Sequence, residues 1–144
     1  MERPAALPTD FLDRAARLRE QVDRVPGLVA AVLFGSFARG EATPWSDIDV
    51  AVLTEGELGL DRRLDLMGDA TAAFGRDADV VDLRHAPLVL RGRIVRDACP
   101  LVVRDRDAWN AFVTRATLDW LDYEPVYLAA IAIEVARLRA GVQP

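Results

Sequence analysis

Apolar residues recur at helical spacing near the start of the chain. Phe11, Ala15, Leu18, Val22 and Val25 form one stripe, the pattern of an amphipathic helix. Thr9 or Asp10 stands at the position of an N-cap, and Pro26-Gly27 stops the pattern. Residues 1–8, with Pro4 and Pro8, show no periodicity and are expected to fray. Leu28–Phe34 (LVAAVLF) is then apolar without a break, which at this length predicts a buried strand. Gly35-Ser36 ends it, residues 37–46 hold a short helical turn and a Thr-Pro loop, and Ile48–Leu53 (IDVAVL) predicts a second strand, with Ile48, Val50 and Val52 on its core face. Leu60, Leu64, Met67, Thr71 and Phe74 make another helical stripe closed by Gly75, and Ala78–Leu83 (ADVVDL) reads as a third strand. Pro87 opens a helix to about Ala98, Pro100 ends it, and Leu101–Val103 is a short fourth strand.

Residues 105–144 read as helical, capped by Asp105 or Asp107. Pro125 is expected to break or kink this region into Trp109–Tyr123 and Val126–Ala140, a helical hairpin. The stripe Tyr127, Ile131, Val135 and Leu138 is expected to be core on one side, leaving a surplus apolar face for a partner. This order of elements predicts an α+β fold: a small mixed β-sheet with helices packed against it. No repeat, low-complexity tract or linker interrupts residues 1–144, so a single domain is expected.

Composition narrows the function. At 144 residues and 51% apolar, the chain can bury a real core. A lone Cys99 and a lone His85 exclude an internal disulfide and argue against a Cys/His zinc site. The longest uncharged stretch, Val25–Ala38, has 14 residues and contains Pro26, Gly27 and Gly35, too short for a bilayer. Residues 1–10 lack the basic-then-apolar pattern of a secretory leader. A soluble cytoplasmic protein without a membrane partner is expected. All 18 basic residues are Arg, and the net charge of −5 argues against direct nucleic-acid binding. Locally, residues 84–106 carry six Arg against Asp97 and Asp105, either a solvated face or a surface for phosphates or an acidic partner.

The candidate chemistry lies in Leu33–Leu53, LFGSFARGEATPWSDIDVAVL. Gly35-Ser36 sits where a buried strand meets a helical turn; Gly permits close backbone approach, and Ser36 offers a hydroxyl beside free N–H groups, a phosphate-binding corner. Asp47 and Asp49 flank Ile48 and share one strand face. Asp is ill suited to strands, so two in one strand need a reason. Paired carboxylates repel unless a cation joins them, and Mg²⁺ favours one or two carboxylates plus phosphate oxygens. Together these features point to metal-assisted nucleotidyl transfer. Asp79 and Asp82 are three apart on the third strand, so only one of them can share a face with this pair. Trp45 either stacks on a base or covers the core edge, and His85 reads as a satisfied turn residue.

The segment GSFARGEATPWSDIDVAV resembles the signature of the DNA polymerase β-like nucleotidyltransferase superfamily, above all its minimal members. The resemblance continues through DADVVDLRHAP, RIVRDACPLVVRDR and WLDYEP. It implies the polymerase β-like fold, ATP as substrate and Mg²⁺ held by Asp47, Asp49 and a third carboxylate. For that third position Asp79 fits the hydrophobic–acid–hydrophobic pattern, while Asp82 either caps the turn or touches the nucleotide. It also implies that Ser36 and the backbone after Gly35 hold the β and γ phosphates, with Arg39 either neutralising leaving charge or lying on the surface. Within the superfamily the chain is similar to antitoxins that transfer AMP from ATP to a tyrosine of a HEPN-type ribonuclease toxin, which implies such a toxin as partner. Two alternatives remain: a small-molecule transferase of the aminoglycoside-modifying type, and an antitoxin that acts by binding alone.

Overall fold

Residues 9–141 are described by the structure, a computed structural model; the expected fraying of residues 1–8 lies outside them. Helix α1 (Phe11–Val22) leads into strand β1 (Leu28–Phe34), the one-turn helix α2 (Gly35–Ala38) and strand β2 (Ile48–Thr54). Helix α3 (Leu60–Phe74), strand β3 (Ala78–Asp82), helix α4 (Leu88–Asp97), strand β4 (Cys99–Val103) and helix α5 (Arg106–Arg139) follow. The sheet order is β3-β2-β1-β4. β1 pairs antiparallel with β2 and β4, whereas β2 and β3 run parallel, joined by the α3 crossover. The mixed sheet read from the sequence is present.

The unbroken apolar run of β1 is explained by its central place and by burial on both faces. Ala31, Leu33, Ile48, Val50, Val52 and Val80 pack with Leu18 and Val22 of α1 and Leu66 and Ala70 of α3. On the other face Ala30, Val32, Ala51 and Leu53 pack with Ile94 of α4 and Trp109 of α5. The core therefore extends beyond the single β2 face expected from Ile48, Val50 and Val52. β4 starts at Cys99, earlier than expected, and includes Pro100. An edge strand tolerates proline, because the missing N–H can face outward.

The C-terminal hairpin is not formed. α5 runs as one helix of 34 residues straight through Pro125. Proline deletes one helical N–H and crowds the carbonyl four residues back, here that of Leu121. Reversing the chain, however, needs a short loop with turn chemistry. Pro125 has no Gly, Asn or Ser beside it, and Ala129 and Ala130 after it favour helix. With no second arm to fold back, the stripe expected to be core stays open: Ile131 is 42%, Val135 39% and Leu138 63% exposed. Pro125→Ala should restore the missing hydrogen bond and stabilise this turn by up to about 3 kcal/mol. Amide exchange over residues 121–139 is expected to slow, with the global unfolding midpoint unchanged because the distal helix packs on little. Among the described residues no helix is long and apolar enough to cross a membrane.

Candidate active site

The end of β1 and the start of β2 form the site's floor. Phe34 pairs with Asp49 across the two strands. Gly35 follows with φ +75°, and a Cβ built there would lie 2.2 Å from Asp49 Oδ2. Glycine is thus required twice: for its left-handed backbone and for the room it leaves the carboxylate. In the parallel ladder Asp49 sits opposite Asp79, and Asp47 lies just ahead of β2. Asp49 is half-buried, whereas Asp47 and Asp79 are exposed. Burial pushes the Asp49 carboxyl above its ordinary value, the charges of Asp79 and Asp47 push it further, and Arg39 opposes them. The three carboxylates named from the sequence are therefore electrostatic neighbours.

Asp82 does not join them. It is opposite Val52, on the sheet face away from Asp49 and Asp79. Its Oδ1 accepts the Arg84 N–H at 3.1 Å, so it ties the turn after β3. With His85, Glu57 and Arg63 it borders a separate cavity of about 280 Å³. Of its two sequence readings, the turn-capping contact is present in the structure. Trp45 does not cover the core edge either; it is 89% exposed. Its loop is nevertheless tied down: the Thr43 N–H donates to Ser46 Oγ at 2.8 Å, and Arg76 donates to the Thr43 and Ser46 carbonyls. Arg76 also lies 4.8 Å over the Phe37 ring. Asp47 thus leaves a braced loop. Ser36 sits half-buried in the turn of α2, and its carbonyl accepts the Glu41 N–H at 2.8 Å.

Two residues at the site were missed by the sequence reading. Arg63 of α3 donates to the Val80 carbonyl at 2.6 Å and lies 3.8 Å from Asp79. Asp97, at the last position of α4, receives Arg39 at 3.2 Å and Arg96 at 3.1 Å. Neither has a sufficient local signal, because Arg63 meets β3 from another element and the Arg39 that Asp97 holds is 58 residues away; only Arg96 is a neighbour in the chain. Arg39 is also bonded to Glu41 at 3.0 Å, so both carboxylates aim its guanidinium. The Asp97 side chain is only 11% exposed. Burial pushes its carboxyl up, but the hydrogen bonds from Arg96 and Arg39 outweigh this and hold it below the usual range. A depressed carboxyl stabilises the fold above its unfolded pKa and loses that contribution as pH falls through the folded pKa. Asp97→Ala is therefore expected to cost about 1–2 kcal/mol at pH 7, the scale of charge-assisted hydrogen bonds. Urea unfolding should show the gap closing below pH 3.8, the ordinary value.

Among the described residues no three acidic, His or Cys side chains already meet closely enough to hold a metal. The donor set still fits Mg²⁺, which takes one or two carboxylates and completes its shell with phosphate oxygens and water. Burial first, and the charges of Asp79 and Asp47 second, disfavour the ionised Asp49, and a bound cation would offset both.

A strand–turn–strand holding Gly35 against a carboxylate, a third carboxylate on the neighbouring parallel strand and a mixed sheet covered by helices define a nucleotidyltransferase of the polymerase β type. The Polymerase beta, Nucleotidyltransferase family matches residues 17–107, more than half of the chain, and the chain belongs to it. It is 40% identical over 73 residues to the protein adenylyltransferase MntA of Shewanella oneidensis. That stretch is 51% of this chain and 52% of MntA, so the chain spans about half the length of the curated relative it matches. A solved toxin–antitoxin structure with AMP-PNP contains a chain 28% identical, with a TM-score of 0.71, covering 87% of this chain and 98% of that one. A chain in the complex of tri-AMPylated Shewanella oneidensis HEPN toxin with MNT antitoxin is 25% identical, with a TM-score of 0.68 and coverages of 87% and 99%.

Proposed function

We propose that the chain is a Mg²⁺-dependent cytoplasmic adenylyltransferase that moves AMP from ATP to a tyrosine of a HEPN-type toxin and thereby acts as its antitoxin. The observation that carries this reading is the half-buried Asp49, held against Gly35 and flanked by Asp47 and Asp79. The adenylyltransferase MntA and the AMP-PNP and tri-AMPylated toxin complexes support ATP, the AMP group and the toxin partner.

Bound to Asp47, Asp49 and the triphosphate, Mg²⁺ would neutralise charge that builds on the phosphates. The residues of this chain do the rest. In this reading Asp79, opposite Asp49 in the sheet, accepts the proton of the acceptor hydroxyl, which attacks the α-phosphorus in line. A new oxygen–phosphorus bond forms, the bond to pyrophosphate breaks, and the proton passes from Asp79 to solvent. Ser36 and the backbone following Gly35 cradle the β and γ phosphates. Arg39, aimed by Glu41 and Asp97, balances the charge on the leaving group.

The test is the intact mass of a purified HEPN-type toxin after incubation with the chain, ATP and Mg²⁺. Stepwise gain of AMP units is expected, lost on treatment with EDTA. A toxin that is bound and inhibited but gains no mass would replace this reading with the antitoxin that works by contact alone.

A further inference from the structure

α5 leaves the body of the protein with an apolar stripe whose distal part, from Ile131 on, is left open among the described residues. Trp120, Tyr127, Ile131, Val135 and Leu138 recur on one side of the helix. The first two are served by α4: Trp120 sits on Gly92, where a Cβ would lie 3.1 Å from its side chain, and Arg93 donates to Tyr127 Oη at 3.3 Å. Trp120 and Tyr127 meet edge to face at 5.4 Å. Between the helices lies a cavity of about 360 Å³ lined by Gly92, Arg93, Arg96, Thr117, Trp120 and Tyr127. Beyond Tyr127, α4 has ended and the stripe runs on uncovered, with Leu128 beside it 55% exposed.

We infer that this stripe and cavity form the docking surface for an acidic amphipathic helix of the protein that accepts the AMP. The inference rests on the function proposed above. Two observations choose the occupant. The first is charge. Arg93 at one end of the stripe and Arg139 at the other have no carboxylate partner among the described residues. Of the acids nearby, Glu134 is paired with Arg137, whereas Glu124, half-buried on the same side of α5 between Trp120 and Tyr127, has no ion pair among the described residues and puts one negative charge inside the stripe, between its basic ends. The ends of the stripe are thus positive in a chain of net charge −5, and a helix with acidic residues at its flanks matches them. The second is area. Burying one Leu or Ile fully removes on the order of 100 Å². These half-exposed side chains would thus hide roughly 200 Å², against about 800 Å² per partner in a stable interface. A second copy on the stripe alone falls short. An acceptor protein makes further contacts, because its hydroxyl must also reach Asp49.

The experiment measures calorimetric binding of a catalytically inactive HEPN-type toxin to the wild-type chain, Ile131→Glu/Val135→Glu and Arg93→Glu. Mg²⁺–ATP binding and helix content of each variant are measured in parallel. The expected result is a loss of toxin binding of roughly 100-fold in the double variant, the scale of buried hot-spot side chains. Arg93→Glu should lose roughly tenfold and show a weaker salt dependence. Nucleotide binding should be unchanged in both. Toxin binding equal to wild type in the double variant would overturn the docking surface and leave the proposed function standing. A wild-type dimer that the double variant dissolves would overturn it in favour of a second copy. Failure of the wild type to bind the toxin would overturn the proposed partner and the docking surface together.

Discussion

Asp49→Asn is expected to abolish AMP transfer, by on the order of 10³-fold or more, while making the protein harder to unfold at pH 7. The two effects share one cause. Asp49 is half-buried against Gly35, and Asp79 and Asp47 add negative charge to its surroundings. Burial first, and these charges second, raise its carboxyl above the ordinary 3.8. A carboxyl whose folded pKa is raised costs stability once it is ionised, and the cost disappears as pH falls through the folded pKa to the unfolded one. Asparagine keeps the shape and removes the charge. The variant's melting temperature should therefore exceed the wild type's at pH 7, and the two should converge below pH 3.8. Adding Mg²⁺ with a non-hydrolysable ATP analogue should reverse the order, because only the wild type gains a ligand that binds the folded state. Equal melting temperatures at pH 7, with transfer retained, would remove Asp49 from the site.

How much of this was legible in the sequence depended on how local the cause was. The β1 run and the α3 stripe declare themselves, because burial and periodicity act on neighbours, and both were placed at their observed bounds. Gly35 against Asp49 was legible for the same reason, since a glycine break and strand parity need no tertiary knowledge; Asp47, expected on the same strand face, instead precedes β2 in the loop, where parity does not apply. Choosing Asp79 over Asp82 as the neighbour of Asp49 required the parallel register with β2, which sequence parity alone left open. Asp97 was out of reach, since its partner Arg39 lies 58 residues away. Pro125 misled for a physical reason. A helix interior penalises proline, but the penalty is local and finite, and no turn residues stood ready to take the chain elsewhere. Of the two readings of Trp45, cover of the core edge fails, because the side chain is 89% exposed although a large aromatic residue is usually covered.

Gly35→Ala separates close approach from backbone strain at the same site. Alanine at φ +75° costs about 1–2 kcal/mol, as for any left-handed non-glycine residue. Its Cβ would also meet Asp49 Oδ2 at 2.2 Å, Cγ at 3.1 Å and Cβ at 3.3 Å. The carboxylate can swing away from the first contact, but the other two lie close to the strand, so the side chain must shift as a whole. Displacing a catalytic group by about 1 Å can cost roughly 100-fold in rate, and a loss of this size is expected in AMP transfer. Gly59 supplies the control. Its φ is +77°, yet a Cβ there has no atom within 4 Å. Gly59→Ala, at φ +77° and ψ 149°, a region essentially reserved for glycine, should lose at least as much stability in urea unfolding while transferring AMP at the wild-type rate. If both variants lose stability and neither loses activity, Gly35 serves the turn alone, and the fit between its bare backbone and the Asp49 carboxylate has no part in the chemistry. A rate loss confined to Gly35→Ala shows that the missing side chain is what lets the carboxylate take its working position.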